Sequence, residues 1–413
     1  MREMKDSGIE WAGVIPNTWN INKGKYFMEL LTRPTLETDE VITCFRDGEV
    51  TLRSKRREEG FTVSLTEAGY QGIEIGDLVV HGMDGFAGSI GISDSRGKAT
   101  PVLNVLDTEQ NKRYMMYLMR TMAYCELFLS LATGIRVRTC DTNWKKLREI
   151  DYILPTIPEQ KAIADFLDER CAEIDSLISD IQSQIEALEE YKRSVITEAV
   201  TKGLDPDVEM RDSGVQWIGM MPTHWDCQRG KYLLRYVQKP VRDDDGVITC
   251  FRDGEVTLRS NRREEGFTMA DKEIGYQGID VGDLVVHGMD GFAGSIGISD
   301  SRGKASPVLN VLDTEQNKRY IMYYLRSMAY NDVFVALATG IRVRSCDLRW
   351  NKLAELLYPM PPVEEQQAIV EHIDSVLERT NAIIADKKQQ IETIEEYKKS
   401  LIFEYVTGKK EGA

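Results

Sequence analysis

The stretch VITCFRDGEVTLRS occupies residues 41–54 and returns unchanged at residues 247–260. Residues 76–114 return in the same way at 282–320, with a single substitution. The offset is 206 residues in both cases, and no insertion interrupts it along the chain. A repeat of this length is too long for a solenoid unit and has the size of a domain or a pair of domains. Two copies of one surface on one chain favour a ligand that is itself repeated, and DNA is the first candidate.

Length and composition set the broad class of protein. The chain has 413 residues, of which 42% are hydrophobic, so about two to four domains with apolar cores are expected. No run of about 18 apolar residues occurs, and residues 1–6 lack an apolar signal region, so we expect a cytoplasmic protein without a membrane partner. The seven cysteines form no Cys-x-x-Cys pair, which predicts buried free thiols rather than disulfides or zinc ligands.

The net charge is −15, which argues against a simple basic DNA-binding protein. The charge is unevenly distributed, however. Residues 41–146 carry 14 basic and 13 acidic side chains, whereas residues 148–206 carry 6 and 14. The acidity therefore lies mainly after the globular part of each copy, and the globular part keeps local basic clusters such as residues 53–57.

Each copy has two parts with different periodicity. In the first part, residues 11–154 and 217–360, short apolar runs are bounded by Gly, Asp and Ser, a pattern typical of strands and turns. A helix is predicted at residues 111–131, where apolar residues recur at helical spacing. A mixed α/β domain is therefore expected in each copy. The predicted strands are residues 41–45, 77–81, 89–92 and 102–106.

The second part of each copy has a heptad pattern. After Pro158 no Gly or Pro occurs until Gly203, and apolar residues follow one another at alternating steps of four and three. This pattern predicts a helix of about 44 residues, roughly 65 Å long, whose apolar stripe needs a partner helix. The predicted seam residues are Leu167, Cys171, Ile174, Ile178, Ile181, Ile185, Leu188 and Val195 in the first copy, and Ile373, Leu377, Ile384, Ile391, Ile394 and Leu401 in the second.

Two arrangements of the helices are possible. Each stripe could pack on its own domain, but we favour the two helices packing on each other as an antiparallel coiled coil. An antiparallel pair would place the domains at opposite ends and relate the copies by a pseudo-two-fold axis. The predicted fold class is therefore α+β, with two mixed α/β domains separated by two long helices. The predicted segments are residues 1–155 (first domain), 156–205 (first helical region), 206–361 (second domain) and 362–413 (second helical region).

Several enzymatic readings fail on spacing. Residues 91–99 have five residues between the glycines where a phosphate-binding loop needs four, and Ala99 stands where that motif needs Ser or Thr. Residues 85–91 are explained better by tight turns than by a dinucleotide fingerprint. The Asp/Asn-Pro-Pro-aromatic tetrad of amino-methyltransferases is missing, and the four histidines do not supply a convincing metal site. We therefore expect no catalytic residues, no metal and no cofactor bound by this chain.

The remaining chemistry is that of recognition. Arginine can bind guanine edges bidentately, and Asp or Glu can accept a hydrogen bond from cytosine, while Lys and Arg also bind phosphates. For each arginine alone, a solvated position or an ion pair with a neighbouring acid is the competing interpretation, but the set as a whole favours DNA contact. The predicted DNA-binding residues are Arg46, Arg53, Arg56, Arg57, His81, Asp84, Arg96, Lys98, Arg136 and Arg138 in the first copy, and Arg252, Arg259, Arg262, Arg263, His287, Asp290, Arg302, Lys304, Arg342 and Arg344 in the second.

Two duplicated phrases resemble a known family. Residues 6–19, and their repeat at 212–225, are similar to the opening of specificity subunits of type I restriction-modification systems. Residues 154–160 resemble the phrase that precedes the long helix in that family, and 360–366 repeat it with Glu364 in place of the second proline. The phrases are short, but their duplication and order make the resemblance specific, and it covers the whole chain.

The resemblance implies a division of labour among subunits. Two target-recognition domains would each read one half of a split site in double-stranded DNA, and the coiled coil would space them. The coil would also dock two methyltransferase (modification) subunits, which carry S-adenosylmethionine and methylate adenine. Restriction subunits would then join and cleave DNA at the expense of ATP, with Mg²⁺ also held by partner subunits. This chain would be a reader and a spacer without its own catalysis.

The near-identity of the copies departs from the usual family member, which has two dissimilar domains and an asymmetric target. With antiparallel helices, both domains would read the same half-site on opposite strands, which predicts a palindromic split target; parallel helices would predict a direct repeat. The copies differ at residues 63–68, at residues 142–143 and at Lys55, which Asn261 replaces. The alternative functions are a coiled-coil scaffold that does not bind nucleic acid, and an enzyme with an unrecognised cofactor site.

Overall fold

The computed structural model describes residues 2–56, 68–130, 142–262, 274–337 and 348–411. It forms two compact units, Met1–Ile181 with Lys388–Ala413, and Gln182–Lys387. Each unit contains the strands of one copy of the repeat and one end of each of two long helices. The fold is α+β, with two strand-rich domains and two long helices, as predicted.

The first unit is built mostly from short strands. Its strands are β1 (Met4–Asp6), β2 (Val14–Pro16), β3 (Asn20–Lys23), β4 (Met28–Leu31), β5 (Ile42–Cys44), β6 (Val50–Leu52), β7 (Gln71–Ile73), β8 (Leu78–His81), β9 (Ile90–Ile92), β10 (Gly97–Ala99), β11 (Leu103–Thr108) and β12 (Asp151–Leu154). Its short helices are α1 (Arg53–Arg56), α2 (Lys112–Tyr124), α3 (Leu127–Ser130) and α4 (Trp144–Leu147), with 3-10 turns at Gly24–Tyr26 and Gly85–Ala87. The first long helix, α5 (Ile157–Lys202), follows. The four predicted strands are therefore confirmed as β5, β8, β9 and β11.

The second unit repeats this order. Its strands are β13 (Met210–Asp212), β14 (Met220–Pro222), β15 (Asp226–Arg229), β16 (Leu234–Tyr236), β17 (Ile248–Cys250), β18 (Val256–Leu258), β19 (Gln277–Ile279), β20 (Leu284–His287), β21 (Ile296–Ile298), β22 (Gly303–Ala305), β23 (Leu309–Thr314) and β24 (Leu357–Met360). Its short helices are α6 (Gly230–Leu233), α7 (Lys318–Tyr330), α8 (Val333–Ala336) and α9 (Trp350–Leu353), with 3-10 turns at Arg259–Asn261 and Gly291–Ala293. The second long helix is α10 (Val363–Val406).

A four-stranded antiparallel sheet lies at the centre of each domain, in the order β4-β11-β8-β9 in the first and β16-β23-β20-β21 in the second. Strand β8 is buried on both faces. Leu78 and Val80 pack in the core that contains α2, whereas Val79 packs on the other face against the hairpin formed by β5 and β6. A central strand covered on both sides needs consecutive apolar residues, which explains the unbroken run Leu-Val-Val in both copies.

One predicted helix is interrupted. Asn111 caps the start of α2, since its side chain accepts a hydrogen bond from the Tyr114 amide. The prediction of a continuous helix over residues 111–131 is wrong, because α2 ends at Tyr124 and Glu126 has a φ of 58°. A residue in the left-handed region cannot continue a right-handed helix, so the chain turns before α3 begins. Asp332, with a φ of 55°, makes the same turn in the second domain.

A buried glutamine joins each long helix to its domain. Gln160, in the first turn of α5, accepts a hydrogen bond from the Asn111 amide at 2.9 Å and donates to Pro155 O at 2.9 Å. Gln366 makes the matching contacts in α10, with Asn317 N at 3.0 Å and Pro361 O at 2.9 Å. These bonds fix the direction in which the helix leaves the domain, and they give the glutamine of the lead-in phrase a physical role.

The long helices pair antiparallel within each unit. In the first unit the rings of Phe166 and Tyr405 stack with centroids 4.4 Å apart, and Asp175 accepts a hydrogen bond from Lys398 at 2.6 Å. Residue numbers therefore rise along α5 as they fall along α10. In the second unit Ile196, near the end of α5, shares a core with Ile373, near the start of α10. The predicted antiparallel pairing is confirmed in both units.

Burial along the helices follows the predicted seam. Every seam residue of α5 and α10 is buried or half-buried, whereas the residues between them are mostly exposed. Part of each apolar stripe also packs on a domain, which was the alternative arrangement. Leu167 and Cys171 lie in the core of the first domain together with Leu401 and Ile402 from the far end of α10. The stripe is therefore shared between the partner helix and the domain.

The last turn of each long helix closes a domain core. The buried hydroxyl of Tyr114 shares its single proton between Ile153 O at 3.0 Å and Val406 O at 3.2 Å, which ties the end of α10 to α2. Tyr320 donates in the same way to Val200 O at 3.2 Å, near the end of α5. Each domain thus uses the end of a helix that begins after the other copy.

The cysteines that the structure describes are free thiols, as the composition predicts. Cys44, Cys171 and Cys250 are buried free thiols as predicted, and Cys125 and Cys227 are half-buried. Cys140 and Cys346 lie outside the described residues. In the part of the chain that the structure describes, no helix combines the length and the apolar character that crossing a bilayer requires.

Substitution of Leu167 tests the seam. Leu167 is 0% exposed in the shared core, so Leu167→Ala should lower the free energy of unfolding by about 2–5 kcal/mol, as other buried leucines do. Leu177→Ala is the matched control on the same helix, because that side chain is 48% exposed and should change stability by less than about 0.5 kcal/mol. Urea unfolding monitored by circular dichroism measures both, and equal effects would contradict the seam.

Candidate nucleic-acid interface

Two loops of each domain bring candidate residues together. The first is the turn of the β5–β6 hairpin, residues 45–49, which is closed by a hydrogen bond from Phe45 N to Glu49 O at 2.8 Å. Gly48 in this turn has a φ of 86°, and a Cβ there would overlap the Arg120 guanidinium. Glycine is therefore required, and the Arg120 guanidinium that lies against it is held by a hydrogen bond from its Nε to Ile90 O at 2.7 Å. The second loop is residues 81–89, between β8 and β9.

Arg46, Asp84 and His81 form a cluster where these loops meet, which we call the reader cluster. Arg46 Nη2 donates to Asp84 Oδ1 at 2.9 Å, and the Asp84 amide donates to His81 Nδ1 at 2.9 Å. The side chain of Arg46 is 66% exposed. The second domain repeats the cluster with Arg252, Asp290 and His287, at 3.1 and 2.9 Å.

His81 is held in one protonation state. Its Nδ1 accepts two backbone hydrogen bonds, from Met83 N at 3.2 Å and from Asp84 N, so the neutral ring carries its proton on Nε2. Burial lowers the pKa of His81 below its ordinary value of 6.5, an effect that Asp84 partly offsets and Arg46 reinforces. The cluster therefore presents a neutral imidazole at neutral pH.

Arg56 has its donors engaged within the domain. It contacts both carboxylate oxygens of Asp47, donates to Glu49 at 2.9 Å and lies 4.2 Å from the centroid of the Phe45 ring. These bonds raise the pKa of Arg56 and brace the same hairpin turn that carries Arg46. Arg262 makes the matching contacts with Asp253, Glu255 and Phe251.

Arg96 is also held by carboxylates. It contacts Glu74 and donates from Nε to the buried Asp39 at 3.1 Å, and this bond holds the pKa of Asp39 below its usual value. In the second domain Arg302 pairs with Asp245 and with Asp280, and Lys239 together with Arg302 lowers the pKa of Asp280 to about 2. Arg96 and Arg302 thus link the segments that connect strands of their own domains.

The other candidates lie along the hairpin and its neighbours. Arg53 donates from Nε to Thr43 Oγ1 at 3.3 Å, and Arg259 to Thr249 Oγ1 at 3.2 Å. Lys98 lies in β10 opposite Gly72, and Lys304 lies in the matching strand β22. The candidates outside the described residues are Arg57, Arg136, Arg138, Arg263, Arg342 and Arg344.

A cleft separates the reader cluster from the long helices within each unit. In the first unit it encloses about 850 Å³ and is lined by Arg46, Arg120, Lys398 and Lys399, together with acidic residues. In the second it encloses about 590 Å³, and its basic residues are at the matching positions: Arg252, Arg326, Lys192 and Arg193. The basic residues on α2, α7 and the helices were not among the predicted DNA-binding residues. Their occurrence at matching positions of the repeat was the signal that could have found them.

Two of the differences between the copies lie at residues that the structure describes. Lys55 donates to Ser95 Oγ at 2.7 Å and pairs with Asp94, whereas Asn261 donates to Thr257 Oγ1 at 2.9 Å. Thr142 is buried and donates to His81 O at 2.8 Å, so its replacement by Leu348 changes the support beneath the loop and not its exposed face. Residues 63–67 and 269–273 of the third difference lie outside the described residues.

The described residues contain no group of three or more His, Cys, Asp or Glu side chains placed to hold a metal ion. The exposed chemistry of this surface consists of guanidinium, carboxylate, ammonium and imidazole groups on loops that the sheet positions. Such groups make hydrogen bonds to base edges and ion pairs with phosphates, the two kinds of contact that a DNA-reading surface needs.

Comparison with known proteins agrees with this geometry. No family model matches the chain. It is 24% identical over 322 residues to the type I restriction enzyme MjaX specificity subunit of Methanocaldococcus jannaschii, covering 74% of this chain and 71% of that one. It is 26% identical over 326 residues to the MjaVIII specificity subunit of the same organism, covering 73% and 72%.

A solved structure shares the fold. A chain from a structure that describes complex assembly and conformational transition of a type I restriction-modification system superposes with a TM-score of 0.67. It covers 95% of this chain and 99% of its own length, at 11% identity. These findings agree with the resemblance drawn from the duplicated phrases: the chain is similar to specificity subunits of type I restriction-modification systems. A coiled-coil scaffold without nucleic-acid binding is not favoured.

The lowered pKa of His81 should make the stability of the protein depend on pH. Because the folded state binds this proton less readily than the unfolded state, the stability from the neutral ring should be complete above pH 6.5 and should decrease as the pH falls below it. Replacement of His81 and His287 by Asn should flatten the dependence of unfolding free energy on pH in that range. Nitrogen-15 NMR of the imidazoles would contradict the arrangement if Nδ1 carried the proton at pH 7.

Proposed function

We propose that this chain supplies DNA sequence specificity to a type I restriction-modification complex, with each domain reading one half of a split site. The observation that carries the proposal is the duplicated reader cluster, which occurs in both domains with the same partners and nearly the same distances. Two equal sets of exposed donors and acceptors fit two equal groups of base edges.

The target is a palindrome interrupted by unread base pairs. The near-identity of residues 41–54 and 76–114 with their repeats supports equal half-sites. The antiparallel pairing of α5 and α10 supports readings on opposite strands, since parallel helices would favour a direct repeat. Half-sites on one face of B-DNA lie about 34 Å apart, a distance that paired helices of 46 and 44 residues can span.

The chain acts as a reader and a spacer, and it catalyses no step. S-adenosylmethionine, ATP and Mg²⁺ are held by partner subunits: two methyltransferase subunits that dock on the helices, and restriction subunits that join them. The acidic helices suit contact with proteins better than contact with DNA, because residues 148–206 carry 14 acidic and 6 basic side chains. Restricting the basic groups to loops and clefts reconciles DNA binding with a net charge of −15.

Methylome sequencing tests the target. Cells that express the chain with its methyltransferase subunits should show methylated adenines within a split palindrome, and deletion of the chain should remove that motif. A palindrome is expected because both domains carry the same reader cluster. An asymmetric motif that depends on this chain would refute the equality of the half-sites.

Lengthening the helical spacer tests its role. Insertion of four residues within Ile181–Leu188 adds about 6 Å of helix and should change the preferred length of the unread spacer while leaving both half-sites unchanged. Glu186→Ala changes an exposed residue of the same segment without changing its length, so it should leave the spacer unaltered. Sequencing of methylated sites measures both variants, and an unchanged spacer after the insertion would show that the helices do not set the distance.

A further inference from the structure

We propose that Arg46 and Arg252 each read a G·C base pair, with the arginine on the guanine and Asp84 or Asp290 beside the cytosine. The inference rests on the proposed function and deepens it, because it names the base pair and the side chains that select it. It predicts that each half-site contains one G·C pair whose identity depends on this cluster.

Arg46 differs from Arg56 and Arg96 in how many of its N–H groups are hydrogen-bonded by described residues. Of the residues that the structure describes, Asp84 alone hydrogen-bonds its guanidinium, through Nη2, so the remaining N–H groups of a five-donor fork are open to a ligand. The side chains of Arg46 and Arg252 are 66% and 65% exposed. Arg56 is engaged by two acids and an aromatic ring, and Arg96 by two acids, so both serve the fold.

The segments that carry Arg46 and Asp84 are both held in place by contacts within the domain, so the ion pair is positioned before a ligand binds. The Arg120 guanidinium lies against Gly48 in the hairpin turn that carries Arg46, and it is held there by its hydrogen bond to Ile90 O. Asp84 is fixed through its amide to His81, and its carbonyl accepts from Ala87 N at 2.9 Å. A guanidinium anchored at one edge presents the other edge in a defined direction, and little conformational entropy remains to be lost on binding.

The carboxylate of Asp84 makes a base edge a better ligand for Arg46 than a phosphate. With Asp84 Oδ1 2.9 Å from Arg46 Nη2, the pair is close to neutral and its acidic half repels a phosphate. In the major groove, guanine offers the acceptors O6 and N7, and its cytosine partner offers the N4 donor. Arginine donors beside a carboxylate acceptor match that pattern, whereas the other base pairs place a donor or a methyl group differently.

The duplication supplies an internal control for the test. The full chain, in complex with its methyltransferase subunits, is used to select duplexes from a library of randomised double-stranded DNA. The single substitution Arg46→Ala should remove the selectivity for G·C at one position of one half-site, which is about 5- to 150-fold in the wild type. The other half-site and all other positions should be selected as before. The retained half-site reports that the variant is folded and assembled. Arg252→Ala should do the same in the other half, and the double variant in both.

Asp84→Asn separates base reading from phosphate binding. It keeps a hydrogen-bonding partner for Arg46 but removes the charge, so it should relax the preference at the same position and increase affinity for unrelated DNA at low salt. A uniform loss of affinity in Arg46→Ala, with the motif unchanged and the salt dependence reduced by about one charge, would assign Arg46 to a phosphate and overturn the inference. Loss of an A·T position, or no change, would also overturn it. Failure of the wild-type complex to select any split motif would instead refute the proposed function.

Discussion

Burial of the ends of the long helices is the constraint on which the rest of the structure depends. A helix of 46 residues with one apolar stripe cannot bury that stripe against itself, so it needs both a partner helix and a domain surface. The last turn of α10 fills the first core, where Tyr114 bonds Val406, and the end of α5 fills the second. Domain stability and helix pairing are therefore one property, and the direction of the helices follows from it.

The buried glutamines contribute to this coupling between the long helices and the domains. Gln160 and Gln366 fix the start of each helix on its domain, and Tyr114 and Tyr320 fix the opposite ends through Val406 and Val200. A helix that is hydrogen-bonded at its start leaves its own domain in a defined direction. Side-chain packing alone would define that direction less closely, because apolar contacts are not directional.

Among the described DNA-binding candidates of each domain, the number of paired carboxylates separates two groups of arginines with different roles. Those that meet two carboxylates, such as Arg56 and Arg96, stabilise turns and strand edges. Among the residues that the structure describes, Arg46 hydrogen-bonds one carboxylate, that of Asp84, and its side chain is 66% exposed. The same division in the second domain shows that it belongs to the fold and not to one set of side-chain rotamers. Recognition chemistry is thus placed on loops whose geometry other arginines maintain.

The sequence by itself determined the repeat, the strand-rich domains and the heptad seam, because these depend on local periodicity or on matching residues at a constant offset. It did not determine where the helix after β11 ends, since one left-handed residue, Glu126, interrupts an otherwise continuous pattern. Nor did it separate Arg46 from Arg96, whose partners Asp84 and Asp39 lie 38 and 57 residues away. Only the tertiary structure decided which charges are paired, because electrostatic pairing depends on distance in space and not on distance along the chain.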